Sequence, residues 1–187
     1  MRIIAGEWRR RGLVAPKGDA TRPTADRTRE TLFSMLLSRV GSFDGLRVAD
    51  LFAGSGALGL EALSRGAASC LFIEQDRAAI DALRTNVKVL GADARADVRS
   101  GSVLQAGTPP HPFDLIMLDP PYGSGAGHVA LDKLARLGWF PPACWISVET
   151  ARDEVIAPTG FEINAERIVG KAKLTLLRPL APAGGGA

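Results

Sequence analysis

The chain has 187 residues, 46% of them hydrophobic and 23% charged, with a formal net charge of +3. This is enough apolar chain for one domain with a sizeable core. No apolar run reaches membrane-spanning length and no signal-peptide pattern follows Met1, so a soluble cytoplasmic protein without a membrane partner is expected.

The charge is unevenly spread. Residues 1–29 hold eight Lys or Arg against three acids, and the remainder holds 15 basic against 17 acidic residues. A basic element at residues 1–25, with Trp8 next to Arg9, Arg10 and Arg11 and with Arg22 further on, points to a polyanion. Trp8 either stacks on a base or packs on the domain. Residues 2–5 and 12–15 read as two short strands of a hairpin. A helix then starts near Asp26, carries Leu32, Phe33, Leu36, Leu37 and Val40 at helical spacing, and ends at Gly41.

The main domain is expected over residues 26–180. It opens with a strand at Leu46–Phe52, a glycine loop at Ala53–Gly59 and a helix to about Arg65, followed by a strand at Cys70–Glu74 and a helix from Asp76 to about Val89. This β-α-β unit has an acid at the tip of its second strand, about twenty residues past the first glycine. Ala53, Gly54, Ser55 and Gly56 let a ligand approach the backbone, and Glu74 can accept both hydroxyls of a ribose, so an adenosine-containing cofactor is expected. The next strand, Ala96–Ser100, leads to Ser102 and Val103, which flank the adenine position. The loop also fits the dinucleotide fingerprint of a hydride-transferring enzyme. Asp50, just before the loop, favours methyl transfer, because it would repel a pyrophosphate but can order water near a cationic sulfonium.

The decisive stretch is Asp119-Pro120-Pro121-Tyr122, at the end of the apolar run Phe113–Leu118. An exocyclic amino nitrogen of a nucleobase is a poor nucleophile, because its lone pair is delocalised into the ring. The Asp119 carboxylate and the Pro120 carbonyl can both accept from that NH2, favouring a pyramidal nitrogen and stabilising the charge that develops on attack. Pro120 and Pro121 supply no competing N–H and restrict φ. Tyr122 offers a face on which an unstacked base can lie. Gly123–Gly127 is flexible enough to move over a substrate. The same tetrapeptide would serve DNA adenine-N6 or cytosine-N4 methylation, although that would ask for a target-recognition domain.

A helix to Leu137, a buried strand at Cys144–Glu149 and two strand-like runs at 161–169 and 173–178 complete the domain. The last two suggest an antiparallel hairpin closing a mostly parallel sheet. Residues 181–187 are small and Pro/Gly-rich, as in a disordered tail. Cys70 and Cys144 lie in expected strands without CxxC or Cys/His spacing. They read as reduced core thiols, and nothing points to a metal.

From Met1-Arg2-Ile3-Ile4-Ala5-Gly6, through Arg22-Pro23-Thr24, Asp26-Arg27, Arg29–Phe33 and Asp50–Ala67, to Asp119–Tyr122, the sequence resembles the bacterial small-subunit ribosomal RNA guanine-N2 methyltransferases of the RsmD type. The glycine and Asp-Pro-Pro-Tyr motifs mark amino-methyltransferases in general, and the N-terminal block narrows the likeness to this family. The resemblance implies an α/β, Rossmann-like seven-stranded methyltransferase fold, mostly parallel with an antiparallel last strand and an N-terminal hairpin. It implies S-adenosylmethionine as donor and a guanine of 16S ribosomal RNA, in an assembled or assembling 30S subunit, as acceptor. Gly54 and Gly56 would cradle the donor, Glu74 would hold its ribose, Ser102 would flank its adenine, and Asp119 to Tyr122 would grip the guanine. Many relatives have an acid where Ser102 stands. A monomer is expected. A non-catalytic RNA-binding assembly factor is the alternative from another class, and protein glutamine methylation is disfavoured by Asp119.

Overall fold

A computed structural model describes residues 1–16 and 23–180. The expected tail at 181–187 and Arg22 lie outside these residues. The chain runs α1 (Pro23–Val40), β1 (Arg47–Leu51), α2 (Ala57–Ser64), β2 (Ser69–Glu74), α3 (Arg77–Leu90), β3 (Ala96–Ser100), a 3₁₀ turn (Val103–Gln105), β4 (Leu115–Leu118), α4 (Ala126–Arg136), β5 (Trp145–Ala151), β6 (Phe161–Val169) and β7 (Ala172–Pro179). α1 starts at Pro23, three residues before the expected Asp26, because a proline in the first turn lacks only an N–H that has no helical partner there.

The seven strands form one sheet in the order β3-β2-β1-β4-β5-β7-β6. β3, β2, β1, β4 and β5 are parallel, and β7 runs antiparallel to both β5 and β6. Side chains alternate across each strand, so the sheet supports two cores. Val48, Phe72, Met117 and Leu176 face Leu32, Phe33, Leu36, Leu60, Leu63, Leu83 and Val87 of the first three helices. Ala49, Leu51, Leu71, Ile116, Leu118 and Val148 face Ala130, Leu131 and Leu134 of α4. The strand order reverses between β1 and β4, which both leave the sheet at the same edge, and such a switch point opens the crevice in which open α/β sheets bind ligands.

Residues 1–16 make the expected antiparallel turn with less pairing than two strands would give. One bridge joins Arg2 to Gly12, beside main-chain bonds Ile3 N to Arg11 O at 2.9 Å and Leu13 N to Met1 O at 3.0 Å. The amides of Arg9, Arg10 and Arg11 close the turn on carbonyls of Gly6, Ile3 and Trp8, and several others are taken by the domain. Ile4 N and Ala5 N donate to the carboxylate of Glu61 at 2.8 and 3.0 Å, and Val14 N donates to Asn86 Oδ1 at 2.7 Å. Glu61 is fully buried on α2 and also accepts from Arg65 Nε at 2.8 Å. With Ile3, Trp8 and Leu13 in the first core, the segment packs as part of the domain. Cys70 and Cys144 are free and buried. No helix among the described residues is long and apolar enough to cross a membrane.

Candidate active site

The first half of the crevice is built on β1 and β2. Phe52, directly after β1, sits at φ 65°, in the left-handed region that residues with a Cβ rarely enter. The chain then turns sharply, with Ala53 N donating to Ile73 O at 3.0 Å and Gly56 N to Ala53 O at 2.7 Å. The glycines divide their work. A Cβ on Gly54 would project into open space, leaving that stretch of backbone bare. A Cβ on Gly56 would lie 2.2 Å from Leu83 Cδ1, and one on Gly59 2.3 Å from Phe72 Cε1, so these two allow the loop and α2 to close on the core. Gly56 thus has a packing role against Leu83 beside the donor contact that the sequence suggests.

Glu74 ends β2 with its carboxylate fixed by three amides. Oε2 accepts from Gly54 N at 2.8 Å, and Oε1 accepts from Gln75 N at 2.7 Å and Asp76 N at 2.8 Å. Beside it lies a small depression lined by Phe52, Ile73, Glu74, Gln75, Gly101 and Val103. Its lining is mostly apolar, with the Glu74 carboxylate at one side. Ser102 adjoins it and caps the 3₁₀ turn, its Oγ accepting from Leu104 N at 3.2 Å. Ser55 is buried, and its carbonyl accepts from Asn86 Nδ2 at 3.0 Å. Phe52, Gln75 and Gly101 carry no motif, and only the path of the folded loops brings them here.

Asp50 corrects a sequence expectation. It is 1% exposed, beneath the loop and not in the crevice, and its Oδ2 accepts from Gly59 N at 2.8 Å. Asp50 thus anchors the start of α2 and cannot order solvent beside a ligand. Burial pushes its carboxyl up to about 7 against the pull of the Gly59 amide, and the charge of Glu74 adds to the rise. Its second oxygen, Oδ1, has no hydrogen-bond partner among the described residues.

The other half of the crevice begins where β4 ends. Asp119 N donates to Leu51 O at 3.3 Å, tying the tetrapeptide to the end of β1. Pro120 is buried against the first turn of α4, where a Cβ on Gly127 would lie 3.1 Å from Pro120 Cγ. Among the described residues, no donor meets the Asp119 carboxylate or the Pro120 carbonyl. Tyr122 is 48% exposed, and its hydroxyl donates to Glu149 Oε1 at 2.5 Å. The following loop, expected to be flexible, is braced: Ser124 Oγ donates to Pro121 O at 2.6 Å and Gly123 N to Glu154 Oε2 at 3.2 Å.

Burial at the strand ends, with the carboxylates of Glu149 and Asp50, holds the Asp119 carboxyl well above the usual carboxylate range, although an exposed face toward the crevice lets water temper the shift. Burial also raises Glu149, with the Tyr122 hydrogen bond partly opposing it. The Tyr122 hydroxyl is raised by burial and by its bond to Glu149. Glu149 carries no motif: it lies within β5, and only the pairing of β4 with β5 brings it beside Asp119.

A bare loop beside an apolar depression, a carboxylate at the tip of β2 and two unengaged acceptors just beyond β4 form one crevice at the strand ends. Residues 1–178 match the family model described as "Conserved hypothetical protein 95". The ribosomal RNA small subunit methyltransferase D of Haemophilus influenzae is 38% identical over 176 residues, covering 91% of this chain and 89% of that protein. Its namesake in Escherichia coli K12 is 37% identical over 181 residues, covering 94% and 88%. The chain belongs to this RsmD-type family. Among solved structures, a putative methyltransferase from Escherichia coli, yhhF, superposes with a TM-score of 0.82 at 36% identity, covering 97% of this chain and 99% of that one. A magnesium protoporphyrin IX methyltransferase from Synechocystis, solved with bound SAM, shares the fold alone, with a TM-score of 0.67 at 14% identity.

In this RsmD-type chain the N-terminal basic residues do not act alike. Arg9 and Arg10 are exposed and make no ion pair among the described residues. Arg11 instead donates from Nη2 to Val89 O at 2.6 Å, fastening the turn to the last turn of α3. Trp8 is 7% exposed, its ring packed under the Arg95 guanidinium at 4.9 Å and its amide donating to Ser64 Oγ at 3.0 Å. It anchors the turn and has no free face for a base, because its indole is worth more in the core than in water. Among the described residues no cluster of His, Cys, Asp and Glu is arranged to hold a metal.

Proposed function

We propose that this protein transfers a methyl group to the exocyclic N2 of one guanine in 16S ribosomal RNA, acting in the cytoplasm on an assembled or assembling small subunit. The donor is S-adenosylmethionine, and the loop at Phe52–Gly54, Glu74 and the depression between Ile73 and Val103 fit its adenosine. When bound, it supplies an electrophilic methyl on a sulfonium. The observation that carries the reading is the unengaged acceptor pair, the Asp119 carboxylate and the Pro120 carbonyl, beside the loop that follows β1. Both acceptors suit an NH2 group, and together they hold its nitrogen with the lone pair directed at the methyl.

Arg9 and Arg10 supply charge for RNA phosphates, which position the substrate without reading its sequence. The target base leaves its stack to reach the crevice and lies against Tyr122, whose ring is fixed by Glu149. The alkylated nitrogen is acidic enough to lose its proton after transfer, to Asp119 or to water, so no base has to act before attack. Asp119 thus works first as an acceptor that stabilises developing positive charge.

The test is transfer of labelled methyl from S-adenosylmethionine to unmodified small subunits, to the same RNA stripped of protein and to duplex DNA, with digestion to nucleosides. N2-methylguanosine from the particles is the expected product. N6-methyladenine from DNA would overturn the substrate, and donor binding without label in any arm would leave an RNA-binding assembly factor.

A further inference from the structure

The tetrapeptide explains how an amino group is held and leaves open which base carries it. Adenine N6, cytosine N4 and guanine N2 are all conjugated amino groups, and all satisfy the Asp119–Pro120 pair. They differ in the neighbouring ring nitrogen. In adenine and cytosine that nitrogen is a bare acceptor, whereas in guanine N1 carries a hydrogen and donates.

Glu149 stands where this difference is felt. β4 and β5 are parallel and their last register pair is Leu118 with Val148, so Asp119, directly beyond β4, and Glu149, still within β5, follow that pair, close enough for the Glu149 charge to act on the Asp119 carboxyl. Neighbouring strands of a sheet lie about 4.8 Å apart. Two carboxylates thus lie side by side at the strand ends. Among the described residues no ion pair reaches either. The one donor among the described residues that meets them is the Tyr122 hydroxyl, which takes Glu149 Oε1 at 2.5 Å and leaves Oε2 without a partner. When ionised, a pair of carboxylates with so few donors repels an acceptor and favours a ligand edge made of adjacent N–H groups.

We propose that Glu149 is the specificity-determining residue of the acceptor site, accepting from guanine N1–H while Asp119 and the Pro120 carbonyl take the N2 amino group. This rests on the guanine-N2 reading and extends it. An adenine or cytosine in the same pose would turn a ring-nitrogen lone pair toward the Glu149 carboxylate. The bond from Tyr122 restrains the side chain and keeps its second oxygen available to the base.

The probe is 2-aminopurine, which keeps the 2-amino group and has an unprotonated N1. Small subunits are reconstituted with either guanine or 2-aminopurine at the nucleotide found methylated, and kcat/KM is compared. The native enzyme is expected to prefer guanine by about 100-fold or more, since a site built to accept an N–H rejects an analogue that lacks it. Glu149→Gln keeps an oxygen for Tyr122 and presents an amide that can donate to the bare N1. The preference is then expected to shrink at least about tenfold, through loss on guanine and gain on 2-aminopurine. Loss of O6 in the analogue is common to both enzymes and cancels from this change. Tyr122→Phe, which removes the restraint and keeps the carboxylate, is expected to lower both rates with less change in their ratio.

Equal use of guanine and 2-aminopurine by the native enzyme would overturn the proposal without any variant. So would a Glu149→Gln enzyme that is weakened equally on both substrates, which would make the residue a structural support. Absence of methylated guanine altogether would instead bring down the guanine-N2 reading, and this inference with it.

Discussion

Asn86 Nδ2 donates to the carbonyl of Ser55 at 3.0 Å, joining α3 to the loop that carries Gly54. The same side chain exchanges two bonds with the main chain of Val14, at 2.7 and 2.9 Å, and is 1% exposed. One buried amide therefore fixes the donor loop and the end of the N-terminal segment at once. Asn86→Ala leaves the buried Ser55 carbonyl and the partly buried main-chain groups of Val14 without this partner and should destabilise the fold by about 1–3 kcal/mol. Asn86→Asp retains the acceptor for Val14 N and loses both donations. Both variants should weaken donor binding about 5–10-fold. Denaturant titration and equilibrium donor binding check this, and unchanged donor affinity in both would show that the Ser55 carbonyl holds its place unaided.

Asp50 makes stability depend on pH. Its carboxyl rises from 3.8 to about 7 in the folded chain. Between these values the folded state keeps a proton that the unfolded state releases, so stability falls as pH climbs through this window. Above about 7 the penalty of the buried charge is complete. Asp50→Asn keeps an oxygen for Gly59 N and removes the titration. Its stability relative to the native chain should grow from pH 4 to pH 8 by up to about 4 kcal/mol. Urea unfolding across that range measures the gap, and a constant difference would mean that the charge is compensated in place.

The fold was legible because each buried strand announces itself as a short apolar run, and α3 carries its Asp76 cap and a helical apolar periodicity. Ala96–Ser100 and Phe161–Val169 fall at the expected residues. The motif residues Glu74, Asp119 and Tyr122 also come to one edge of the sheet, since a glycine loop and a Pro-Pro stop can only follow parallel strands there. What failed to show was direction. Asp50 lies in the right motif, but side-chain alternation turns it inward beneath the loop. Trp8 next to three arginines looks like a stacking platform, and nothing local reveals that Arg95, 87 positions away, covers it. Glu149 becomes visible only when the register of β4 and β5 is known.

The split among the N-terminal arginines changes how their role is tested. Arg11 holds Val89 O, whereas Arg9 and Arg10 point into solvent. Replacing Arg9 and Arg10 together with Ala should weaken RNA binding and reduce the slope of log K against log salt by about 1 for each phosphate no longer neutralised. Arg11→Ala should instead loosen the turn, lowering the melting temperature while moving the slope less. Binding titrations at several salt concentrations separate the two, and an unchanged slope in the double variant would make these arginines bystanders.

Asp119 has the sharpest expected signature because its role needs the ionised form. Asp119→Ala removes the anion facing the developing positive charge and should lower kcat by about 10²–10³-fold, the usual scale for one preorganised electrostatic partner. Donor binding should hold, since the residues proposed to face the adenosine lie at the ends of β1, β2 and β3 and not on β4. The native carboxyl is raised by burial and by Glu149 and Asp50, so at acid pH it holds a proton and presents a donor where the amino group needs an acceptor. kcat/KM should therefore climb with pH, over a range displaced upward from that of an ordinary aspartate. Glu149→Gln removes one of the repelling charges and should shift the rise toward lower pH. A profile that stays put in that variant would mean that the two carboxylates do not sense each other. A parallel collapse of donor affinity in Asp119→Ala would move Asp119 from the acceptor side of the reaction to the donor side.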